Sequence, residues 1–443
     1  MLVATSKRHV LFLQGPGSMF LYRFGQVLKR AGVHVSKIHV CAGDLLYWPS
    51  SDVVVFRDKF EDWGAFVERY IISHGVSDLV LFSDSRPYHR VATKIAKGLG
   101  LNTFVFENGY FRPDWLTFER GGVNGRSPFP RDRAAIERLA AAAPDPDVQE
   151  TSLKYKRHML FGDWTWHGLN FLGTPLFPHY RRHRPAHPLH ELWGAAKKVT
   201  VLYGKHLRSK ARFKAVLDSA RPYFFFPLQL DQDYQVLVDS PFAGISEASD
   251  VVIGSFARHA PKDCLLLVKN HPHDSNLVDR ERDTIRIARR HGVADRVVFI
   301  ETGNNPQIMR HARGLVTINS TMGTSGLWHG VPVCVLGRAV YDIEGLTHQG
   351  DLDSFWQQPT PPEAEFFRTF RRALIHAAQV RGMFGAGEAR ELVFDECLFR
   401  VLKTPYRTAG LTLSVAGESS LRDFSSGSID ADLAPAASSR QAV

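Results

Sequence analysis

Residues 314–336 read GLVTINSTMGTSGLWHGVPVCVL, and this stretch decides the fold. An apolar run at 314–318 ends in small hydroxyl and glycine residues over 319–326, and a second apolar run follows at 331–336. The pattern predicts a buried strand, a turn that opens a helix, and another buried strand. Free backbone N–H groups and the helix dipole at such a turn suit a phosphate. An ordinary strand-to-helix turn capped by Ser or Thr is the alternative.

The length and composition of the chain predict two domains. It has 443 residues, of which 44% are hydrophobic and 11% aromatic, and one core seldom organises so long a chain. The N-terminal residues contain no long apolar stretch. We therefore expect neither a signal peptide nor a transmembrane helix.

Residues that commonly bind metals are scattered along the chain. The four cysteines are widely spaced without a CxxC pattern, which argues against a disulfide or zinc framework and favours a reducing compartment. Three histidines lie at positions 183, 187 and 190, but Pro185 and Pro188 break any helical face between them. We expect no metal site.

Strand-like and helix-like runs alternate in both halves of the chain. In the first half, strands are predicted at 10–13, 33–40, 52–56, 78–82 and 102–106, and helices at 19–31, 63–73 and 88–99. In the second half, strands are predicted at 223–228, 264–268, 297–301, 315–318 and 331–336, and helices at 245–258, 279–291 and 307–311. The alternation predicts two α/β domains with parallel, doubly wound sheets, facing a central cleft at their strand ends.

Positive charge is concentrated between residues 151 and 220. This segment has 13 Lys or Arg and 3 acids, a difference of +10 that equals the formal net charge of the whole chain. Aromatic residues are interleaved with the cations, five of which are Lys205, Arg208, Lys210, Arg212 and Lys214. The mixture suits an anionic membrane surface. Nucleic acid could use the same ingredients, and a solvated helical linker is the third interpretation.

Polar residues follow several of the predicted strands. In the second half they are Gln229, Asp233, Lys269, His271 and the residues from Asn319 to Ser325. In the first half they are Gly15-Pro16-Gly17-Ser18 and Glu107-Asn108-Gly109-Tyr110-Phe111-Arg112. Helix N–H groups, a cation and a histidine can bind a phosphate without metal, and a carboxylate beside them can act as base or nucleophile. Taken singly, Gln229 could turn a loop and Glu107 could cap a helix.

An ordered set of short motifs runs along residues 8–400. The motifs are Gly15-Pro16, Glu107 to Arg112, Gln229-Leu230-Asp231-Gln232-Asp233, Lys269-Asn270-His271-Pro272, Asn319-Ser320-Thr321-Met322-Gly323 and Gly337-Arg338-Ala339-Val340-Tyr341-Asp342. As a set, they resemble the bacterial capsule polysaccharide biosynthesis proteins of the KpsS/LipB type.

The resemblance implies a GT-B-like glycosyltransferase with two Rossmann-like domains. Such an enzyme would take β-Kdo from CMP-Kdo with retention of configuration and add it to a phosphatidylglycerol-type lipid. It would thereby start the poly-Kdo linker of a capsular polysaccharide, which a related polymerising enzyme extends. The implied location is the cytoplasmic face of the inner membrane. The resemblance also implies partnership with the polymerising Kdo transferase and the capsule export complex. We expect no nucleic acid, because the cations are confined to one stretch without a reading motif, and we expect no cofactor and no metal.

The resemblance also implies catalytic roles. A Gln-x-x-x-Asp pattern matches Gln229 and Asp233, which makes Asp233 the nucleophile, although Asp231 is a rival that spacing does not exclude. A Glu-Asp-Gly-Phe-type motif matches residues 107–110 with Asn108 in place of the acid, so that Glu107 is the second carboxylate.

Binding roles follow from the same resemblance. His271 would help CMP to leave, and the donor would contact Lys269, His271, Asn319, Ser320, Thr321, Gly323 and Thr324. The acceptor would contact Gly15, Pro16, Gly17, Ser18, Asn108 and Arg112.

The resulting division of the chain is linear. It consists of an acceptor domain (1–150), a basic aromatic helical segment that contacts the membrane (151–220), a CMP-sugar-binding domain (221–378), a C-terminal helix (379–407) and a disordered tail (408–443). Two other functions compete with the transferase. One is a non-catalytic scaffold for capsule assembly and export, and the other is a sugar-nucleotide epimerase or hydrolase of the same architecture.

Overall fold

The structure is a computed structural model, and it describes residues 8–111, 115–146, 155–182, 204–231, 234–274, 277–384 and 391–406. The strands are β1 (His9–Phe12), β2 (His34–His39), β3 (Val53–Val55), β4 (Asp78–Phe82), β5 (Asn102–Asn108), β6 (Trp115–Arg120), β7 (Tyr223–Pro227), β8 (Leu265–Lys269), β9 (Val297–Ile300), β10 (Ala312–Thr317), β11 (Val333–Val335) and β12 (Gln379–Arg381). The helices are α1 (Phe20–Arg30), α2 (Ala42–Tyr47), α3 (Trp63–Ser73), α4 (Pro87–Gly98), α5 (Arg133–Ala141), α6 (Tyr155–Leu172), α7 (204–218), α8 (Tyr234–Asp239), α9 (Ile245–His259), α10 (Arg280–Arg290), α11 (Asn305–Arg310), α12 (Met322–Trp328), α13 (Leu352–Gln357), α14 (Ala364–Ala378) and α15 (Glu391–Lys403).

The chain forms two compact units that are not contiguous in sequence. Within the described ranges, unit 1 contains residues 8–129, 143–182 and 374–406, and unit 2 contains 130–142 and 204–373. This division differs from the linear one predicted above. The segment carrying α5 belongs to unit 2, where Arg133 lies over the Phe366 ring at 4.2 Å. The C-terminal helix α15 belongs to unit 1.

The sheet of unit 1 has the strand order β12-β6-β5-β4-β1-β2-β3. The strands from β5 to β3 pair in parallel, whereas β6 pairs antiparallel with both β5 and β12. Successive residues of β1 face opposite sides of this sheet. Val10 and Phe12 pack with α1 and α15, whereas Leu11 packs with α3 and α4. Both faces are therefore buried under helices, as in a doubly wound sheet.

The sheet of unit 2 is entirely parallel among its described strands, in the order β11-β10-β7-β8-β9. Phe224 and Phe226 of β7 pack with Val252 and Phe256 of α9 on one face. In a parallel sheet the carboxyl ends of the strands share one edge, so the residues after β7, β8 and β10 lie together.

The predicted α/β fold class, with two Rossmann-like doubly wound units, is confirmed. Helix 63–73 and strand 78–82 have the predicted bounds. At the quoted stretch the helix begins at Met322, three residues after Asn319, and has seven residues. The antiparallel strands β6 and β12 were not predicted.

The basic aromatic segment is divided between the two units. Its first helix, α6, belongs to unit 1 and its second, α7, belongs to unit 2. The aromatic residues Trp166, Phe177 and Phe213 are buried. His183, His187 and His190 lie outside the described residues, as does the predicted disordered tail. Among the helices that the structure describes, none is long and apolar enough to cross a bilayer.

Candidate functional site

Two amide side chains join the ends of β7 and β10 in unit 2. Gln229 Nε2 donates to Asn319 Oδ1 at 2.9 Å, and the backbone N–H of Asn319 donates to Gln229 Oε1 at 3.0 Å. Asn319 Nδ2 also donates to the Gln235 carbonyl at 2.8 Å. Because both amides are buried and bonded in both directions, their orientations are fixed.

The loop that follows Asn319 is held by Tyr341. The Tyr341 hydroxyl donates to the Ser320 carbonyl, and a Cβ placed on Gly323 would lie 2.2 Å from the Tyr341 oxygen. Met322 N donates to Ser320 Oγ at 3.2 Å, and Gly323 N donates to the Ser320 carbonyl at 2.9 Å. The predicted free N–H groups are therefore occupied at Met322 and Gly323, and glycine is required here by the approach of Tyr341.

Thr321 and Thr324 are the other two residues of this loop that were predicted to contact the CMP-sugar, and they interact with each other. Thr324 Oγ1 donates to the Thr321 carbonyl at 2.7 Å. This bond fixes the first turn of α12. It uses the Thr321 carbonyl, and the Thr321 side chain is partly exposed.

Lys269 and His271 lie at the end of β8, beside β7. Lys269 is buried, and burial lowers the pKa of its ammonium despite the opposing charge of Glu301. Asn270 donates from Nδ2 to Glu301 Oε1 at 2.9 Å and accepts from the His271 backbone N–H at 2.8 Å. His271 Nδ1 accepts from the backbone N–H of His273 at 3.1 Å. A neutral His271 ring therefore carries its proton on Nε2.

Asp231, the rival nucleophile, is engaged by neighbouring groups. Its Oδ1 accepts from Ile245 N at 2.9 Å, at the start of α9, and its Oδ2 pairs with Arg280. Asp233, the predicted nucleophile, lies outside the described residues.

Several cations of the basic segment pair with acids of unit 2. Lys205 on α7 lies 3.2 Å from Glu301, and Arg212 lies 2.7 Å from Glu281. Arg208 and Lys210 on the same helix are exposed. Part of the positive charge thus attaches α7 to its own unit.

In unit 1, the predicted acceptor loop follows β1. Ser18 N donates to the Pro16 carbonyl at 2.7 Å, which closes a tight turn. A Cβ at Gly162 of α6 would lie 2.0 Å from the Gly17 carbonyl oxygen. Helix α6 can approach this loop so closely only because position 162 is glycine. The Gly15 carbonyl accepts from Arg86 Nη1 at 3.0 Å.

Glu107 and Asn108 end β5 in unit 1. Glu107 is buried, and its Oε1 accepts from Asn108 N at 2.9 Å and from Asn108 Nδ2 at 3.3 Å. Asn108 therefore orients Glu107. Tyr110, two residues on, is buried and donates to Glu119 Oε2 at 2.9 Å. Arg112 lies outside the described residues.

Sequence reasoning missed a group of buried polar residues at the strand ends of unit 1, which we call the strand-end cluster: Lys37, His39, Asp44, Arg86 and His89. Lys37 Nζ donates to the Leu13 carbonyl at 2.8 Å and lies 3.5 Å from Asp44 Oδ1. Asp44 Oδ2 accepts from Val40 N at 3.0 Å. The only sequence signal was a lysine and two histidines within the run predicted as strand 33–40.

Burial governs the ionisation of the strand-end cluster. It lowers the pKa of His39 to about 4 and that of His89 to about 3, and the charges of Lys37 and Arg86 respectively act in the same direction. Burial is the largest single effect on Asp44 and opposes its ionisation, but the Lys37 charge, the His39 ring and hydrogen bonds from Val40 and Cys41 together lower the pKa of Asp44. The two imidazoles are therefore neutral at pH 7.

The structure thus joins Gln229 to Asn319 directly, and Lys269 to His271 through Asn270. In unit 1 it joins Gly15 to Arg86, which was not predicted. No described residue tests the role of Asp233.

Comparisons with known proteins agree with the motifs. A family model described as "Capsule polysaccharide biosynthesis protein" matches residues 77–384. "Capsule polysaccharide modification protein LipB" of Neisseria meningitidis serogroup B is 35% identical over 390 residues, covering 86% of this chain and 92% of that protein. "Capsule polysaccharide export protein KpsS" of Escherichia coli is 31% identical over 385 residues, covering 86% and 98%. "Thermosulfurimonas dismutans KpsC, beta Kdo 2,7 transferase" is a solved structure with 12% identity and a TM-score of 0.40, over 89% of this chain and 100% of that one. The chain belongs to the capsule polysaccharide biosynthesis protein family.

Proposed function

We propose that the protein is a retaining glycosyltransferase that moves β-Kdo from CMP-Kdo to a phosphatidylglycerol-type lipid and so starts the poly-Kdo linker of a bacterial capsular polysaccharide. The choice of donor and acceptor rests on the motif resemblance. The observation that carries the proposal is the fixed pair Gln229 and Asn319, which lies on the same strand edge as Lys269 and His271.

Lys269 and His271 are proposed to bind the leaving phosphate of the donor. Among the described residues, the Lys269 ammonium has one hydrogen bond, at 3.4 Å to the Asn270 carbonyl, so most of its donor capacity is available. A neutral His271 ring carries its proton on Nε2, and His271 is proposed as the second phosphate donor. Fixed donors at a buried position stabilise the charge that develops when CMP departs, so that no metal is needed for this step.

Asp233 is proposed as the nucleophile. One carboxylate oxygen attacks the anomeric carbon while the bond from that carbon to the phosphate oxygen breaks, which gives a glycosyl-aspartate and free CMP. Asp231 is disfavoured because one of its oxygens caps α9 and the other pairs with Arg280. A carboxylate engaged in this way is a poorer nucleophile.

Glu107 is proposed as the general base of the second step. It takes the proton of the acceptor hydroxyl as that oxygen attacks the anomeric carbon and the bond to Asp233 breaks. Asn108 binds Glu107 Oε1 through two donors and so orients the carboxylate.

Attachment to the inner face of the inner membrane is proposed to use the exposed cations of α7. Arg208 and Lys210 are exposed, whereas Lys205 and Arg212 pair with acids. Anionic lipid would attract the exposed pair.

A non-catalytic role in capsule assembly or export is the second candidate. It is favoured by the name of the Escherichia coli relative, which is an export protein. Such a role predicts no consumption of sugar nucleotide with any lipid.

The decisive experiment is mass spectrometry of a fluorescent phosphatidylglycerol analogue incubated with the protein and CMP-Kdo, without added metal. We expect a product one Kdo heavier, which Asp233→Ala does not form and Asp231→Asn still forms. Unchanged turnover by Asp233→Ala would place the nucleophile elsewhere. If CMP is released without a lipid product, the hydrolase or epimerase interpretation replaces the transferase, and if no CMP is released, the scaffold does.

A further inference from the structure

The described part of the chain contains four buried arginines, and three of them each bind two or more protein acceptors: Arg8, Arg280 and Arg296. Arg8 binds both oxygens of Asp78 and the Thr404 carbonyl. Arg280 binds Asp231 and Ser246, and Arg296 donates to three carbonyls. A buried guanidinium normally satisfies its donors in this way.

Arg86 is the fourth buried arginine, and it makes fewer hydrogen bonds than the other three. It is 8% exposed, yet it makes one hydrogen bond with the described residues, from Nη1 to the Gly15 carbonyl at 3.0 Å. Its guanidinium lies 5.1 Å from the ring centre of Phe82 and 5.6 Å from that of Trp166. The aromatic contacts hold the side chain in place while Nε and Nη2 remain without a partner in the described ranges.

Nearby carboxylates do not account for these donors. Asp44 and Glu107 lie close enough for their charges to oppose the lowering of the Arg86 pKa by burial. Asp44, however, is bound by Lys37 and Val40, and Glu107 accepts from Asn108. Arg86 has no hydrogen bond to either carboxylate.

Other polar atoms of the strand-end cluster also lack partners. The two ring nitrogens of His39 and Nε2 of His89 are buried without a hydrogen bond in the described structure. Ser83, at the end of β4, has φ +62°, a strained conformation that is often found at binding sites. His89 Nδ1 donates to the Ser83 carbonyl at 2.6 Å, so Nε2 of the neutral ring is an acceptor. The unused donors are therefore those of Arg86 and one N–H of His39. Together with the strained loop and the strand-end position, they indicate a site for an anionic ligand.

We propose that Arg86 binds the phosphodiester of the acceptor lipid. The assignment rests on the proposed function, which places the general base Glu107 in the same unit. Two non-bridging phosphate oxygens match the two unused N–H directions of the guanidinium fork. In a phosphatidylglycerol headgroup, three carbons separate the phosphate ester oxygen from the terminal hydroxyl. Because the Glu107 charge acts on the Arg86 guanidinium, we infer that one headgroup places its phosphate on Arg86 and its hydroxyl toward Glu107.

The binding test uses the tryptophan fluorescence of the full chain, because Trp166 contacts Arg86. The ligands are glycerophosphoglycerol, which is the free headgroup, inorganic phosphate and glycerol. We expect the headgroup to change the signal, and Trp166→Phe to remove that change. Arg86→Gln should weaken headgroup binding about 10-fold to 100-fold, as the loss of charged hydrogen bonds predicts. Arg86→Lys keeps the positive charge but lacks the paired N–H groups of the guanidinium. Its affinity for the headgroup should therefore lie between those of wild type and Arg86→Gln.

The kinetic test compares two acceptors with the same alkyl tail, one with the glycerol phosphodiester and one with glycerol alone. Arg86→Gln should raise KM for the phosphodiester acceptor by the same factor of about 10 to 100. KM for CMP-Kdo and KM for the acceptor with glycerol alone should not change. Arg296→Lys is the matched control, because it alters a buried arginine stacked on Phe256 at 4.6 Å in unit 2. It should leave headgroup binding unchanged.

Equal headgroup binding by wild type, Arg86→Gln and Arg86→Lys would refute the site. Equal affinity for inorganic phosphate and headgroup would assign the site to free phosphate and refute the lipid assignment. Headgroup binding that depends on Arg86, in a protein that does not turn over CMP-Kdo, would refute the proposed function while the site stands. If Arg86→Gln does not fold, as judged by circular dichroism, Arg86→Lys decides.

Discussion

The strand ends of the two units differ in how they use their buried polar groups. In unit 2, Gln229 and Asn319 bond reciprocally and Asp231 is matched by Arg280. In unit 1, the ring nitrogens of His39, one of His89 and part of Arg86 have no partner among the described residues. In unit 2 the amide pair and Asp231 are therefore fixed by protein partners while Lys269 keeps donors for a ligand, whereas in unit 1 several groups of one cluster keep polar atoms that a ligand can use.

The difference suggests two solutions for binding anions. A site whose polar groups are fixed loses little entropy when a charged phosphate binds. A site with unsatisfied buried groups is less stable by itself, because each such group carries a desolvation cost, and it gains more when ligand arrives. We expect unit 1 to be the more sensitive of the two to changes in charge and pH.

The largest effect is expected from Lys37→Met in unit 1. The change leaves the buried Asp44 carboxylate without its cation and should destabilise unit 1 by about 3 to 5 kcal/mol. Hydrogen exchange of the β2 amides in urea measures this. Arg280→Met in unit 2 is the comparison, and its effect should be smaller because the Asp231 side chain is 36% exposed. A larger effect of Arg280→Met would reverse the contrast between the units.

Acid should weaken unit 1 before unit 2. The pKa values of His39 and His89 are lowered to about 4 and about 3, so their neutral rings stabilise the fold fully above about pH 6.5. This stability is lost as the pH falls below 6.5, by about 2 to 4 kcal/mol at pH 5.

Unit 2 provides the reference in the same experiment. Partial burial of Asp250 and Asp283 is outweighed by hydrogen bonds and nearby cations, so their pKa values are lowered. The stability that these two carboxylates contribute is therefore lost only below about pH 3.8, the ordinary pKa of an aspartate. Hydrogen exchange at pH 7 and pH 5, corrected for intrinsic rates, should show protection lost in β2 and α4 but kept in α9 and α10. The double variant His39→Gln, His89→Gln should flatten this response. Parallel loss in both units would contradict it.

A double-mutant cycle on Gln229→Ala and Asn319→Ala tests the preorganisation of unit 2. Because the side chains share two buried hydrogen bonds, their coupling energy should be about 1 to 2 kcal/mol by urea unfolding. Gln307→Ala is a suitable control, since this exposed side chain lies elsewhere in the unit. Additive effects would mean that the pair does not act as one element.

The smallest effect concerns the membrane. Arg208→Gln with Lys210→Gln should weaken flotation with anionic liposomes by at most about 1 kcal/mol for each charge, and less at high salt. Lys205→Gln is the control, because Lys205 pairs with Glu301. Equal flotation with anionic and neutral liposomes would remove the electrostatic argument.

Local sequence predicted most of the alternating elements because each buried strand and amphipathic helix has its own periodicity. It missed β12 because Gln379–Arg381 is short and its one partner among the described strands is the distant β6. The bounds of α12 also differed, since Ser320 and Tyr341 fix the loop before it. Contacts between residues far apart in sequence leave no local pattern.

The residues of the candidate site also fall into a group that the sequence predicted and a group that it did not. Gln229, Lys269, His271 and Asn319 were predicted because each directly follows or ends an apolar strand. The strand-end cluster was not, because its members come from separate strand ends and Lys37 sits within a strand-like run. Its side chains become a group only when β1, β2 and β4 are side by side.

The return of the chain to unit 1 affects how the protein is made on the ribosome. Gln379 Nε2 donates to Thr117 Oγ1 at 2.9 Å across 262 residues, and Val393, Phe394 and Val401 of α15 complete one face of that core. Unit 1 begins to emerge before unit 2 but completes its core only after Val401 has been synthesised. The middle of the chain, which builds unit 2, can fold earlier, so a nascent chain must protect the open apolar face of its first sheet while the rest is translated.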